Sequence, residues 1–338
     1  DLNLLLTPMV TNGAEASGSM GDDTPLAVLS DRPRLLYDYF KQIFAQVSNP
    51  PVDAIREELV MSLTSRLGPE KNILNPGPKH ARMLKLLHPI LTNEQLVQIK
   101  ELDKKDFRST TLRMLFEAES GTDGFSKALK QLCNEAESAV KSGSAILVLS
   151  DRGAGKDQAP IPALLAVGAV HHHLMLKRIR YKTGIVVETG EAREIAHFCL
   201  LVSYGAGAIN PYLAFETFDQ MIQQKALPKE LTLEKANKNY YKAIRKGMYK
   251  VFSKMGISSI QSYRGAQIFE AIGLNEDLVQ NYFTSTPSRI SGIDLPEIVK
   301  ETLLRHESAL VEPPDTSVIL SGGGFYNWRR RGEFHQIN

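Results

Sequence analysis

Ala145-Ile146-Leu147-Val148-Leu149 is a run of five apolar residues, bounded by Ser144 on one side and by Ser150 and Asp151 on the other. A short apolar run with polar borders is typical of a strand that is buried on both faces. Segments 184–187 and 206–209 repeat the pattern, and helix-length segments separate the three runs. This alternation predicts a parallel sheet with helical crossovers.

The same rhythm extends over most of the chain from about residue 108. Strand-like segments are predicted at 112–116 and 257–261, and helices at 123–141, 160–178, 191–204, 211–224, 231–255 and 265–271. Only four or five strand–helix units are visible, whereas a closed eight-fold barrel needs eight. The predicted fold class is therefore α/β, a partial or degenerate (β/α) barrel-like parallel sheet with a helical, irregular N-terminal third.

The N-terminal third lacks this regular alternation. Helical spacing of apolar residues predicts a helix over 34–44, and Asp53 is placed as the cap of a second helix that ends near residue 65. Thr92, followed by Asn93 and Glu94, predicts the start of a short third helix. Residues 1–310 are interpreted as one domain, and the proline- and glycine-containing segment 311–338 as a linker.

Composition indicates a soluble globular protein. The 338 residues are 43% hydrophobic and 23% charged, with 40 basic against 38 acidic residues. A net charge of +2 without a basic patch argues against a nucleic-acid partner. No run reaches the roughly 18 apolar residues that a membrane helix needs.

The cysteine content indicates the redox compartment, and the first residue indicates whether the chain is a whole protein. Cys133 and Cys199 are too few for a disulfide framework and too far apart for a metal knuckle, which favours a reducing compartment. No signal peptide opens the chain. Asp1 is not a natural first residue, so we expect a fragment of a longer protein.

The loop from Ser150 to Asp157 lies where a phosphate-binding loop would lie, between a strand and a helix. Such a loop needs glycine five positions before the Gly-Lys pair and Ser or Thr after it, but this chain has Ser150 and Asp157 there. The carboxyl end of a parallel strand is still a common ligand position. An ordinary loop and an anion site both remain open at this point.

Three adjacent histidines, His171, His172 and His173, raise the possibility of a metal site. Consecutive helical residues point about 100° apart, so these rings are not expected to bind one ion together. Glu188 and Glu191 supply carboxylates after another strand, and Glu191 is placed in the first turn of the following helix. No Ser-His-Asp or Cys-His pairing is legible, so the residues alone indicate no catalytic centre.

The segment Gly18-Ser19-Met20-Gly21-Asp22-Asp23-Thr24-Pro25 combines glycines, an apolar side chain and two acids. Its backbone amides could bind a ligand, because glycine lets a backbone approach closely. A simple entry loop to a helix, capped by Asp23 or Thr24, explains the same residues.

Several segments resemble the central domain of the glutamate synthases, in order and over essentially the whole chain. These are 18–30, Gln46-Val47-Ser48-Asn49-Pro50-Pro51-Val52-Asp53, 165–173, Ser253-Lys254-Met255-Gly256-Ile257, 262–273 and Trp328-Arg329-Arg330-Arg331-Gly332-Glu333-Phe334-His335. The sequence departs from the family at Ser48, where threonine is common, although the hydroxyl is retained. Ser17 and Arg264 are also unusual.

The resemblance implies a non-catalytic domain within a four-part large subunit. It would join an N-terminal glutamine amidotransferase to an FMN-binding synthase domain, and resemble a degenerate copy of that barrel which has lost its flavin. Ammonia from glutamine crosses a tunnel, condenses with 2-oxoglutarate and is reduced to L-glutamate. This implies no cofactor here, FMN and an iron–sulfur cluster in the parent enzyme, and a small electron-donating subunit or ferredoxin as partner.

The resemblance also assigns site residues. Met20 is expected beside the flavin and the keto acid of the next domain, and Ser48 and Asn49 are expected to line the ammonia tunnel. Capping of the Pro50-Pro51 turn is the alternative role for Ser48 and Asn49. The implied location is the cytoplasm, or a plastid in a photosynthetic eukaryote; the electron donor (NADPH, NADH or ferredoxin) is not indicated.

Two other functions compete with this reading. A free-standing flavin- or phosphate-binding barrel enzyme would use the strand ends as its own site, and it would carry its cofactor when purified. A plain interaction module would need no cofactor site, and a pull-down of its partner would distinguish it.

Overall fold

The computed structural model describes residues 2–15, 24–43, 52–53, 55–102, 104, 106–310, 328, 330 and 332–335. Eleven strands occur in this part of the chain: β1 (Phe40–Gln42), β2 (Ser65–Leu67), β3 (Leu84–Leu86), β4 (Ser109–Arg113), β5 (Leu115–Glu117), β6 (Ile146–Ser150), β7 (Gln158–Pro160), β8 (Gly184–Glu188), β9 (Ala208–Asn210), β10 (Phe269–Leu274) and β11 (Ser288–Ile293).

Eleven α-helices accompany these strands in the same described residues: α1 (Thr7–Asn12), α2 (Glu57–Val60), α3 (Asn93–Lys100), α4 (Gly121–Lys141), α5 (Ala163–Leu176), α6 (Ile195–Ser203), α7 (Tyr212–Gln223), α8 (Leu233–Met255), α9 (Ile260–Tyr263), α10 (Glu276–Tyr282) and α11 (Leu295–Leu310). Single turns of 3₁₀-helix occur at Ala27–Leu29, Leu36–Tyr39, Pro78–Ala81, Ala118–Ser120 and Arg180–Lys182, and a π-helical turn at Leu2–Leu6. No helix among the described residues is long and apolar enough to cross a membrane.

The main sheet has the order β4-β6-β8-β9, and all its neighbours are parallel. Val148 pairs with Val186 across β6 and β8, and Val187 pairs with Ile209 across β8 and β9. Every residue of β6 is buried, as its apolar sequence requires. The predicted α/β class with a parallel sheet is confirmed. Four paired strands are half of what a closed barrel needs, so the described residues do not form one.

The two faces of the sheet belong to two apolar clusters. Leu147, Leu149 and Val187 lie in the large core, which also contains the apolar faces of α4, α5 and α6. Ile146, Val148 and Val186 lie in a small core on the other face. That face is covered by side chains from the N-terminal third, namely Leu67, Leu84, Leu86, Leu91, Leu96 and Ile99. The irregular N-terminal third therefore acts as the second layer over the sheet.

The helix predicted over 34–44 is wrong. The structure has a 3₁₀ turn followed by β1, which pairs antiparallel with β10. Phe40 packs edge-on against Tyr204 and Phe283, with ring centroids 5.5 and 4.9 Å away. Pairing with a distant strand overrides the local helical spacing, because β structure depends on its neighbours.

Two further predictions near β10 are also wrong. The segment predicted as a helix at 265–271 leads into β10, whose side chains alternate between buried and half-buried positions. The segment predicted as a strand at 257–261 contains the start of α9, where the Ser259 hydroxyl accepts a hydrogen bond from the Ser262 N–H. A single bridge between Ser62 and Ser259 is the only strand-like pairing that remains there among the described residues.

In the N-terminal third, the helix start predicted at Thr92 and Asn93 is confirmed, and the helix after Asp53 is shorter than predicted. The Thr92 hydroxyl accepts a hydrogen bond from the Gln95 N–H, and the Gln95 side-chain oxygen accepts one from the Thr92 N–H. Asp53 accepts from the N–H groups of Ile55 and Arg56, but α2 ends at Val60. Residue 65 begins β2, because Ser65 pairs with Leu86 of β3.

Candidate functional site

The carboxyl ends of β6, β8 and β9 bring polar side chains together at one edge of the main sheet. We call Ser150, Asp151, Glu188, Thr189 and Asn210 the strand-end cluster, and all five are buried. Ligands of parallel sheets bind at this edge. The strand-end cluster is therefore the place in the fold where a binding or catalytic site would be sought.

Glu188 is the centre of this cluster. Its Oε2 accepts from Lys100 Nζ at 2.6 Å and from Ser150 Oγ at 2.6 Å, while its Oε1 accepts from Arg152 Nε at 2.9 Å. The Glu188 side chain is only 3% exposed. Both carboxylate oxygens are thus occupied, by one donor from the end of α3 and by two donors from the end of β6 and the loop after it.

Arg152 is held in place on its outer side as well. Its Nη2 donates to Glu216 Oε1 at 2.9 Å, and its guanidinium carbon lies 4.0 Å from the centroid of the Tyr212 ring. A guanidinium over an aromatic face is attracted by the ring quadrupole. The arginine is therefore committed to partners within the domain.

Asp151 forms a second, separate arrangement. Its Oδ2 accepts from Thr189 Oγ1 at 2.7 Å and from the Gly190 N–H at 3.0 Å, and the Tyr212 hydroxyl is a further partner. Burial raises the pKa of Asp151 to about 6, although the hydrogen bonds from Thr189, Gly190 and Tyr212 act in the opposite direction. The carboxyl group fixes the backbone turn that follows β8.

Two other polar residues near the strand ends also have partners in the domain. Glu191 Oε2 accepts from the Ala163 N–H at 2.9 Å, so it caps the start of α5. Its predicted place in the first turn of its own helix is wrong, since α6 begins only at Ile195. Asn210 Nδ2 donates to Leu91 O and to Asn93 Oδ1, which connects β9 to the start of α3.

The loop from Ser150 to Asp157 folds as an ordinary connection. The Gly155 N–H donates to Gln158 O, and the Gln158 N–H donates back to Gly155 O. Residues 158–160 then form β7, so the predicted helix begins at Ala163 and not at Pro160. The N–H groups of Gly155 and Gln158 already donate to backbone carbonyls, so they are not available to a phosphate group.

The side chains of the three adjacent histidines do not converge on one point, and His171 and His173 contact different residues. His171 Nδ1 accepts from Arg180 Nε at 3.0 Å, whereas His173 Nε2 lies 2.7 Å from Glu137 Oε2. Burial lowers the pKa of both His171 and His172. No group of three or more His, Cys, Asp or Glu residues that could hold a metal occurs among the described residues.

The predicted site residues Met20, Ser48 and Asn49 lie outside the described residues. Their assignments from the sequence therefore stay predictions. The strand-end position of Ser150 and Glu188 could be read from the sequence, whereas Lys100 and Tyr212 could not. Lys100 is the last residue of α3, and nothing local indicates that its ammonium group reaches Glu188.

The comparisons with known proteins point to one family. The family model for the glutamate synthase central domain matches residues 1–275. The NADPH glutamate synthase large chain of Bacillus subtilis is 46% identical over 338 residues, covering 100% of this chain and 22% of the relative. The NADH glutamate synthase of Schizosaccharomyces pombe is 42% identical, covering 99% and 16%. Ferredoxin-dependent glutamate synthase 2 of Synechocystis is 43% identical, covering 99% and 22%.

This chain thus spans about a fifth of the length of the curated relatives it matches. Among solved structures, inosine 5′-monophosphate dehydrogenase of Legionella pneumophila aligns with a TM-score of 0.41 and 10% identity over 72% of this chain and 99% of that one. A likeness of that size does not identify a shared fold.

We predict that Asp151→Asn changes how stability depends on pH. The pKa of Asp151 is raised from about 3.8 to about 6 in the folded protein, so its contribution favours folding below pH 4 and is lost as the pH rises through 6. The difference in unfolding free energy between the wild type and Asp151→Asn should fall by roughly 3 kcal/mol over that window. Urea unfolding at several pH values measures it.

The exposed Asp157 provides the control for this series. Asp157→Asn makes the same chemical change at an exposed position outside the strand-end cluster, and its series is measured beside that of Asp151→Asn. A difference for Asp151→Asn that does not change with pH would show that the raised pKa of Asp151 is wrong.

Proposed function

Since the chain belongs to the glutamate synthase central domain family, we propose that it joins the glutamine amidotransferase and FMN-binding synthase domains of a glutamate synthase and helps to form the ammonia tunnel between them. In this proposal residues 1–310 form the domain, and 311–338 lead towards the FMN-binding domain. The domain has no catalytic centre of its own and supports L-glutamate synthesis from glutamine and 2-oxoglutarate.

The observation that carries the proposal is that the charged side chains of the strand-end cluster are bonded to residues of the same domain. A barrel enzyme would keep this edge open for its ligand. Here the Glu188 carboxylate is saturated by Lys100, Ser150 and Arg152, and Arg152 is further bound by Glu216. An edge filled with the chain's own ion pairs favours a structural role over a free-standing flavin- or phosphate-binding enzyme.

The parent enzyme supplies the redox chemistry in this account, through FMN and an iron–sulfur cluster in its other domains. The relatives use NADPH, NADH or ferredoxin according to their names, so family membership does not select one donor. An electron-donating subunit or ferredoxin is the corresponding partner. We place the parent enzyme in the cytoplasm, or in a plastid if the source is a photosynthetic eukaryote.

Ser48 and Asn49 are the proposed tunnel residues. A hydroxyl and an amide can exchange hydrogen bonds with neutral ammonia without the fixed charge that would trap it as a cation. In this proposal they lie on the route by which ammonia passes from the glutaminase site to the synthase site. The alternative, a local cap of the turn at Pro50, predicts an effect on stability alone.

We expect Ser48→Val in the full-length large chain to uncouple the two half-reactions. Valine has the shape of threonine without the hydroxyl, and loss of one hydrogen bond costs about 1 kcal/mol, or roughly fivefold in a rate. More glutamine should be hydrolysed per molecule of 2-oxoglutarate consumed. Ser48→Thr keeps the hydroxyl and is the matched control. An unchanged stoichiometry in Ser48→Val would count against the tunnel role.

Met20 is the proposed contact with the flavin site of the following domain. A thioether packs well against flat, polarizable rings, and the glycines at 18 and 21 allow the backbone to come close to a ligand. Asp22 and Asp23 would repel the anionic keto acid, so they are expected to turn away from it. The methionine would then present an apolar side chain to a neighbouring domain.

We expect Met20→Ala in the full-length large chain to raise the KM for 2-oxoglutarate by roughly 30-fold, since truncating a buried apolar side chain removes about 2 kcal/mol of packing. Glutamine hydrolysis should be unaffected. Met20→Leu retains most of the volume and should lie near the wild type. An unaltered KM for 2-oxoglutarate in Met20→Ala would remove Met20 from the site.

A further inference from the structure

Residues 332–335 return to the body of the domain. Glu333 and His335 are buried, at 7% and 4% exposure, whereas Phe334 between them is 77% exposed. This alternation is typical of an extended segment with one face against a surface. Part of the segment predicted as a linker is therefore seated on the domain.

Glu333 is held by two residues from the start of the chain. Its Oε2 accepts from Arg34 Nη2 at 2.7 Å, and its Oε1 accepts from the Ser30 hydroxyl. Arg34 Nε donates to Ser30 Oγ at 2.9 Å, which closes a three-membered ring of interactions. The side chains of Arg34 and Glu333 are each 5% exposed. We call Ser30, Arg34 and Glu333 the clasp.

The clasp is attached to the last helix of the domain. The Arg34 N–H donates to Glu301 Oε1 at 3.3 Å, and Arg305 Nη1 donates to the Arg34 carbonyl. Glu301 also accepts from the Tyr39 hydroxyl at 3.0 Å. Arg34 thus connects α11, the turn at Leu36–Tyr39 and the returning segment at a single buried point.

A buried ion pair of this kind is sensitive to the loss of one partner. Removing either charge leaves the other without compensation in a place that water does not reach. The pair itself adds little net stability, because the cost of taking two charges out of water offsets most of their attraction. The geometry therefore suits a device that fixes position.

The two segments that the clasp joins matter for the proposed function. Ser30 and Arg34 follow the Met20 loop along the chain, and Glu333 belongs to the segment that leads towards the FMN-binding domain. We propose that the clasp holds residues 332–335 against Ser30 and Arg34, and so sets how the FMN-binding domain that follows them lies against this domain, from which the proposed Met20 contact comes. This inference rests on the proposed function. Ser30, Arg34 and Glu333 are positioning residues in it, because they touch no reacting group.

The test compares Arg34→Gln, Glu333→Gln and the double variant in the full-length large chain, with Arg82→Gln as the control. Arg82 also forms an ion pair, with Asp106, but its side chain is 62% exposed. Misplacement of a reacting site by about 1 Å can cost up to about 100-fold. Each clasp variant should raise the KM for 2-oxoglutarate by about tenfold or more, while the kcat of glutamine hydrolysis and the Arg82→Gln variant stay at the wild-type level.

The double variant provides an internal check. Since both residues act through one contact, the double variant should be no worse than the more affected single variant. Additive effects, or a lower melting temperature with an unchanged KM for 2-oxoglutarate, would overturn the positioning role.

Parallel measurements on Met20→Ala separate this inference from the function on which it rests. A raised KM for 2-oxoglutarate in Met20→Ala with an unchanged KM in the clasp variants would overturn the clasp alone. An unchanged KM in all of them would overturn both proposals. A non-additive effect of Arg34→Gln and Glu333→Gln on urea unfolding of the chain itself would show that the contact forms, whatever the function.

Discussion

The burial of the Glu188 carboxylate is the constraint on which the architecture of this domain depends. A buried charge is tolerated only when it is paired and its oxygens accept hydrogen bonds. The donors come from α3, from the end of β6 and from the loop after it, through Lys100, Ser150 and Arg152. Satisfying this one group therefore requires the N-terminal third, the sheet and the following loop to come together in one arrangement.

This constraint also explains why, among the described residues, the carboxyl edge of the parallel sheet is filled by the chain's own side chains. The rule for parallel sheets predicts that polar side chains meet at the carboxyl ends of the strands, and Ser150, Asp151 and Glu188 do meet there. Each is then used internally, by an ion pair, a turn or a hydrogen bond. The chain belongs to the glutamate synthase central domain family and covers about a fifth of the length of its relatives.

The parts of the fold that were predictable from sequence are those with a local signal. The runs that became β6, β8 and β9 are apolar from end to end, and Thr92 and Gln95 lie close enough along the chain to be recognised as a capping box. Phe40 belongs to a strand because Ala271 is its partner, and a partner so distant leaves no local trace. The side chains of β10 mostly alternate between buried and half-buried positions, a period of two that the helix predicted at 265–271 does not have. Lys100 was not predictable as a partner of Glu188, because its side chain reaches a strand far along the chain.

The most direct test of the account is the unfolding free energy of Glu188→Gln, measured in urea beside Glu216→Gln. Glutamine keeps the shape but removes the charge that compensates Lys100 and Arg152, whose side chains are 30% and 41% exposed. The account predicts a loss of about 2–3 kcal/mol for Glu188→Gln, less than for a fully buried pair, and less than about 1 kcal/mol for the exposed Glu216. Equal or greater stability in Glu188→Gln would contradict the account. That result is typical of a residue kept for binding or catalysis, whose replacement commonly leaves stability unchanged or raises it.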